Sequence, residues 1–177
     1  MALFKAFSPE VEVNGETVLS VVDGLGSFKR QAYAILEENG IKDPQPGRWY
    51  PQQKWLDAFK EIGSRLGKNT LFVIGSKVPD NAKFPPEIDS IEKALSSIDV
   101  AYHMNHKGGE IGSYSFKSTG PRSAKMVCKN PYPCDFDRGI IEAMAKRFKP
   151  SDGAIKVEHE GVCRHTSGDS CSYAVSW

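Results

Sequence analysis

Residues 113–177, SYSFKSTGPRSAKMVCKNPYPCDFDRGIIEAMAKRFKPSDGAIKVEHEGVCRHTSGDSCSYAVSW, decide the fold. Ser113–Phe116 and Ala124–Lys129 read as the two strands of a hairpin, and Phe136–Phe148 as a helix with Ile140, Ile141, Met144 and Phe148 facing a core. Ala154–His159 and Ser172–Trp177 read as two further strands. The order strand, strand, helix, strand, strand predicts an antiparallel sheet backed by helices, which is the α+β class. Upstream the period lengthens to that of helices. Residues 25–39 form one, closed by Gly40, and Trp55, Phe59, Ile62 and Leu66 recur at helical spacing before Gly67. A further stripe, Ile88, Ile91, Leu95, Ile98 and Tyr102, follows Pro85-Pro86. Residues 70–76 suit a strand or a buried helix, and periodicity does not choose between them. The reading is a single ligand-binding domain over 1–177, helical over about 1–110 and sheet-rich over about 112–177.

A chain of 177 residues, 40% of them apolar, buries one substantial core. Its formal charge is +1, from 23 basic and 22 acidic residues, with no long run of either sign. That balance argues against nucleic acid as a direct partner and against an anionic membrane surface. No stretch approaches the roughly 18 apolar residues of a spanning helix, and the N-terminus lacks an apolar run of signal-peptide length. The expected location is the cytoplasm. Thiols stay reduced there, so metal binding or core packing explains the four cysteines better than two disulfides do.

Cys134 stands just before the predicted helix, and Glu160, Cys163 and Cys171 lie around the loop that joins the last two strands. Three thiolates and a carboxylate make a tetrahedral zinc set, and Gly168-Asp169 supplies a turn that folds Cys171 back toward Cys163. With four protein ligands no position remains for substrate, so such a metal would be structural. The plainer alternative is core packing, since cysteines are among the most buried residues. Cys128, in a predicted strand, reads as an inert core thiol, and as the substitute ligand were Glu160 not to coordinate.

From Cys134 to Trp177 the chain resembles the 4-vinyl-reductase-type domain of bacterial phenol- and toluene-sensing regulators. The pattern is Cys134, then Gly139, a helix and a strand, then Glu160-x2-Cys163-x7-Cys171 and an apolar strand. The resemblance covers about a quarter of the chain. It implies structural zinc on Cys134, Glu160, Cys163 and Cys171, a hydrophobic small-molecule ligand, a homodimer, and an output module that here would be a separate protein.

Two histidines close the stripe that ends at Tyr102. His103 and His106, three residues apart, suit a haem, a second metal or a polar ligand, but also a plain helix C-terminus followed by Gly108-Gly109. The haem-based nitric-oxide sensors share the general fold and use a proximal histidine. Their Tyr-x-Ser-x-Arg signature is absent, since residues 114–118 read Tyr-Ser-Phe-Lys-Ser. Trp49, Trp55, Phe59, Tyr102 and Met104 are candidates for lining an apolar pocket, although helically spaced aromatics more often fill a core. Arg122, Arg138 and Arg164 suit the charge of a thiolate site or plain solvated surface. No nucleophile with a partnered base and no phosphate-binding glycine loop is recognisable, so an enzyme is disfavoured. The leading expectation is therefore a small-molecule sensor with a structural zinc site. An enzyme or subunit of tetrapyrrole metabolism and a haem-binding gas sensor are the alternatives.

Overall fold

The computed structural model describes residues 3–161 and 163–177. Its first half is mostly helical and its second half carries the larger sheet, so the α+β reading holds. Strand β1 (Glu12–Asn14) leads directly into helix α1 (Gly15–Gly24), whose start is fixed by Asn14: its side-chain oxygen accepts from the Thr17 N–H at 3.1 Å. Sequence reading passed over α1 because Thr17, Val18, Val21 and Val22 are β-branched and favour strands locally. The cap and the burial of the three valines override that preference.

A short 3₁₀ turn (Gly26–Phe28) precedes α2 (Lys29–Glu38), then come β2 (Trp49–Pro51) and α3 (Gln52–Leu66). Residues 70–76 lie inside α4 (Lys68–Asn81). Leu71, Ile74, Gly75, Val78 and Pro79 are its buried positions, a helical period that shows only once Val78 is included. Helix α4 packs between α1 and α6 (Cys134–Arg147). The α4–α6 crossing is close because glycines meet backbone there. A Cβ on Gly75 would collide with the Phe136 carbonyl, and one on Gly139 with that of Phe72.

Helix α5 (Ile91–Met104) begins later than the Pro85-Pro86 pair suggested. Its cap is Ser90, which accepts from the Lys93 N–H, and the proline pair lies in the preceding loop. Strand β3 (His106–Lys107) follows at once and pairs with β1, giving a small antiparallel sheet in the order β2-β1-β3. The larger sheet consists of β4 (Ser113–Gly120), β5 (Ser123–Lys129), β6 (Lys156–Glu160) and β7 (Cys171–Ser176), antiparallel in the order β4-β5-β7-β6. Its register sets Cys128 opposite Cys171. Helices α5 and α6 pack against each other, α5 against β4 and α6 against β6, so the junction of helices and sheet is walled by all of these elements. None of the helices among the described residues is long and apolar enough to cross a membrane.

Candidate functional site

The junction holds a chamber with aromatic walls. Trp55 enters it from α3, Tyr102 from α5, Tyr114 from β4 and Phe136 from α6, with His106 from β3 and Tyr132 from the loop before α6. Rings pack edge to face or tilted throughout: Trp55 on Tyr132 at 5.2 Å, Tyr102 on His106 at 4.5 Å and Tyr102 on Tyr114 at 5.2 Å between centroids. The free space is about 30 Å³, room for a water molecule or two.

One polar relay crosses this wall, and its chemistry fixes every proton. The Tyr102 carbonyl only accepts, so His106 Nδ1 carries the hydrogen in their 2.8 Å bond. His106 Nε2 is therefore a bare lone pair and accepts from the Tyr132 hydroxyl at 2.6 Å, and that oxygen in turn accepts from Gln52 Nε2 at 2.9 Å. Burial pushes the imidazole down to about 4, so it is neutral at physiological pH. Two buried polar atoms beside the relay, Gln52 Oε1 and the indole nitrogen of Trp55, lack a hydrogen-bond partner among the described residues. Asn105, between α5 and β3, holds the frame. Its oxygen accepts from the Asn14 side chain and the Lys83 N–H, and its nitrogen donates to the carbonyls of Lys83 and Ala101.

The structure distributes the pocket candidates unevenly. Trp55, Tyr102 and His106 meet in the chamber wall, with Phe59 stacked behind Trp55 at 4.7 Å. His103 is exposed, with its Nδ1 on the Asp99 carbonyl at 2.9 Å. Trp49 lies on the small sheet under the Lys107 ammonium, 4.4 Å from its ring, and Met104 faces solvent. Sequence reading did not single out Gln52, Asn105 or Tyr132. Buried polar residues at element ends follow no period, and Tyr132 stands between two prolines in an irregular loop.

A second cluster lies behind Tyr114. Cys134, Cys163 and Cys171 bring their sulfurs within 4.8 Å of one another. The Cys134 and Cys171 sulfurs touch at 2.8 Å. Arg164 Nε donates to the Cys171 sulfur at 3.3 Å, and the same guanidinium bonds Asn130 and forms a buried ion pair with Asp137. Burial works against the Arg164 charge, but Asp137 and the thiols more than offset it and hold its pKa above the usual value. Hydrogen bonding to Cys134, with help from Arg164, lowers Cys171, while the same contact and burial raise Cys134. Arg122 and Arg138 stay away from this charge: Arg122 pairs with Asp152 at 3.0 Å and Arg138 lies over the Phe72 ring.

No protein-family model and no curated protein matches the chain. Solved structures do. An H-NOX protein from S. oneidensis in its Fe(II)NO state superposes with a TM-score of 0.67 at 14% identity, over 92% of this chain and 98% of that one. The unliganded Fe(II) H-NOX protein from K. algicida gives 0.61 at 11%, over 92% and 95%. A point mutant of T. tengcongensis H-NOX gives 0.63 at 15%, over 92% and 94%. The chain has the H-NOX fold.

That match corrects the resemblance to 4-vinyl-reductase-type domains. The cysteine pattern covers one helix, two strands and a loop, whereas the H-NOX superposition runs through nearly the whole chain. The vinyl-reductase enzyme reading falls with the resemblance that carried it. Structural zinc is corrected too, since the matching structures are iron proteins. The local geometry agrees. Glu160 turns to Lys125 at 3.4 Å and is not part of the thiol cluster. Two sulfurs on one tetrahedral zinc stand about 3.8 Å apart, from bonds of about 2.3 Å. Cys134 and Cys171 are closer than that, at 2.8 Å.

Proposed function

We propose that this protein is a haem-dependent gas-sensor domain in which His106 holds the iron. The observation that carries the reading is a buried, neutral imidazole in the interior wall of an H-NOX fold, with the lone pair of Nε2 turned to the chamber side of Tyr132. As a donor His106 fits haem iron: burial keeps it unprotonated and the Tyr102 carbonyl fixes its tautomer. The chamber as packed is narrower than a porphyrin, so loading requires the Trp55–Tyr132–Phe136 wall to move aside. Phe116 and Ser118 replace the serine and arginine of the haem signature, and Arg164 is already paired with Asp137.

Bound haem would supply an iron able to take a diatomic gas. The chain's own part is to position and to transmit. Iron on Nε2 would take the lone pair that accepts from the Tyr132 hydroxyl, so loading would release that hydroxyl, and the neighbouring Asn105 ties a shift of His106 to Asn14 at the start of α1 and to Lys83. A change at the iron would thus reach the helical half, and through it a separate output partner.

Titration of the reduced protein with haem tests this. The expected outcome is a Soret band at one haem per chain that shifts with nitric oxide, is lost in His106→Ala and is kept in His103→Ala. A wild-type protein without such a band, or one whose band survives His106→Ala, overturns the reading.

One observation favours a second reading. The space of about 30 Å³ and the unpartnered Trp55 indole N–H suit a ligand of a few heavy atoms with one acceptor, bound without haem. Quenching or shift of the buried indole fluorescence by such ligands, absent in Trp55→Phe, supports it in a protein that takes up no haem.

A further inference from the structure

Residues 3–10 form an irregular strap, partly exposed, that is tied to three segments of the chamber wall. The Phe4 N–H donates to the carbonyl of Pro131, the residue before Tyr132, at 2.9 Å. Gln53, which follows Gln52 on α3, holds the strap twice: its oxygen accepts from the Ala6 N–H at 2.9 Å and its nitrogen donates to the Phe4 carbonyl at 3.0 Å. The third anchor is the loop after β3. There the Ser8 hydroxyl oxygen accepts from the Glu110 N–H at 3.3 Å, and the next carbonyl, that of Ile111, accepts from the Tyr102 hydroxyl at 2.5 Å. Two glycines of this loop let the strap lie against it, since a Cβ on Gly108 would collide with the Glu10 carbonyl and one on Gly109 with the Ser8 side chain. Each anchor is thus one residue away from Gln52, from Tyr132 or from the acceptor that holds Tyr102.

We propose that this strap is a latch: docked, it holds the chamber closed, and undocked, it frees the Tyr132 loop and the 108–112 loop to move apart and admit a ligand. Its hold suits release. None of residues 3–10 belongs to a helix or strand, so the attachment consists of a few hydrogen bonds and of Phe4 and Ala6, half-buried against the core. Phe4 is held at φ 62°, a left-handed conformation unfavourable for a residue with a Cβ, and undocking relieves that strain. Both Gln53 bonds break together, because Phe4 and Ala6 leave on one segment. The wall so released is the one that has to move, since the free space of about 30 Å³ holds only a water molecule or two. The latch rests on the reading of the chamber as the ligand site for its purpose, but its action involves no haem.

The test is amide hydrogen exchange on the haem-free full chain, comparing wild type with Gln53→Ala, Phe4→Ala and Asp57→Ala. Gln53→Ala removes both strap bonds and leaves a good helix former in α3. Phe4→Ala loosens the strap from its own side, whereas Asp57→Ala takes away the other partner of Gln53, at 2.9 Å, and spares the strap. In the first two variants exchange of residues 105–112 and 129–136 rises by roughly tenfold or more, the effect of losing a pair of hydrogen bonds, while β6 and β7 keep their wild-type rates. Asp57→Ala exchanges like wild type in those segments. Faster exchange confined to the strap, faster exchange throughout the chain, an equal rise in Asp57→Ala, or wild-type rates in Gln53→Ala overturns the proposal. If Gln53→Ala does not fold, Phe4→Ala decides by the same comparison. A failed haem titration leaves the latch standing, and an unchanged exchange pattern leaves the haem reading standing.

Discussion

His106 is neutral in the folded protein and protonates near its ordinary pKa of 6.5 once the chain unfolds. Its folded value is depressed to about 4, so below 6.5 the unfolded chain binds a proton that the folded one does not. Stability from this group is complete above pH 6.5 and is lost as the pH falls toward 4. Between pH 7 and pH 5 the loss is about 2 kcal/mol. Urea unfolding of the haem-free protein at those two pH values, compared with His106→Gln, isolates it: the variant loses that share of the pH dependence. An equal dependence in both proteins shows that other groups govern it. Little of this was legible in the sequence. His103 and His106 look alike there, three residues apart after the same helix, and only the fold sends one to solvent and the other into the wall.

Elements were easier to read where a single face is buried. The stripes of α3 and α5 and the alternation in β5 and β7 report a half-buried surface directly. Helix α4 resisted because Phe72 and the exposed Val73 lie inside its apolar run, so the helical period of its buried positions emerges only with Val78, beyond residue 76. Its contact with α6 depends on two glycines whose role no local pattern shows. Gly139→Ala places a methyl against the Phe72 carbonyl and Gly75→Ala one against the Phe136 carbonyl, backbone atoms that cannot swing away. Each substitution should cost about 3 kcal/mol or more, above the gain in helix propensity of about 1 kcal/mol. Thermal unfolding measures it. A melting temperature at or above wild type means that the helices separate freely and the chamber wall is softer than drawn.

Across the whole molecule the chamber and the thiol cluster belong to one polar path. The Tyr114 hydroxyl, on the chamber wall, donates to Asp137 at 2.6 Å, Asp137 pairs with Arg164, and Arg164 donates to Cys171. Arg164→Met leaves Asp137 buried without its cation and should destabilise the protein by about 3–5 kcal/mol, whereas the double variant Asp137→Asn/Arg164→Met recovers part of it. Chemical unfolding of the three proteins measures the coupling, and additive losses would show that the pair does not act as a unit.

The sequence by itself determined the class of the fold and the C-terminal order of strands and helix, because both follow from local period. It pointed to the wrong relatives and the wrong metal, because a cysteine spacing reports a loop and not the fold around it. Tertiary structure alone decided that Glu160 faces Lys125, that His106 and not His103 reaches the interior, and that Asn105, Gln52 and Tyr132 form the polar frame. Those outcomes depend on which side chains long-range packing removes from water. That selection is made between residues far apart in sequence, as in the Asn14–Asn105 bond across 91 positions, and leaves no periodic trace along the chain.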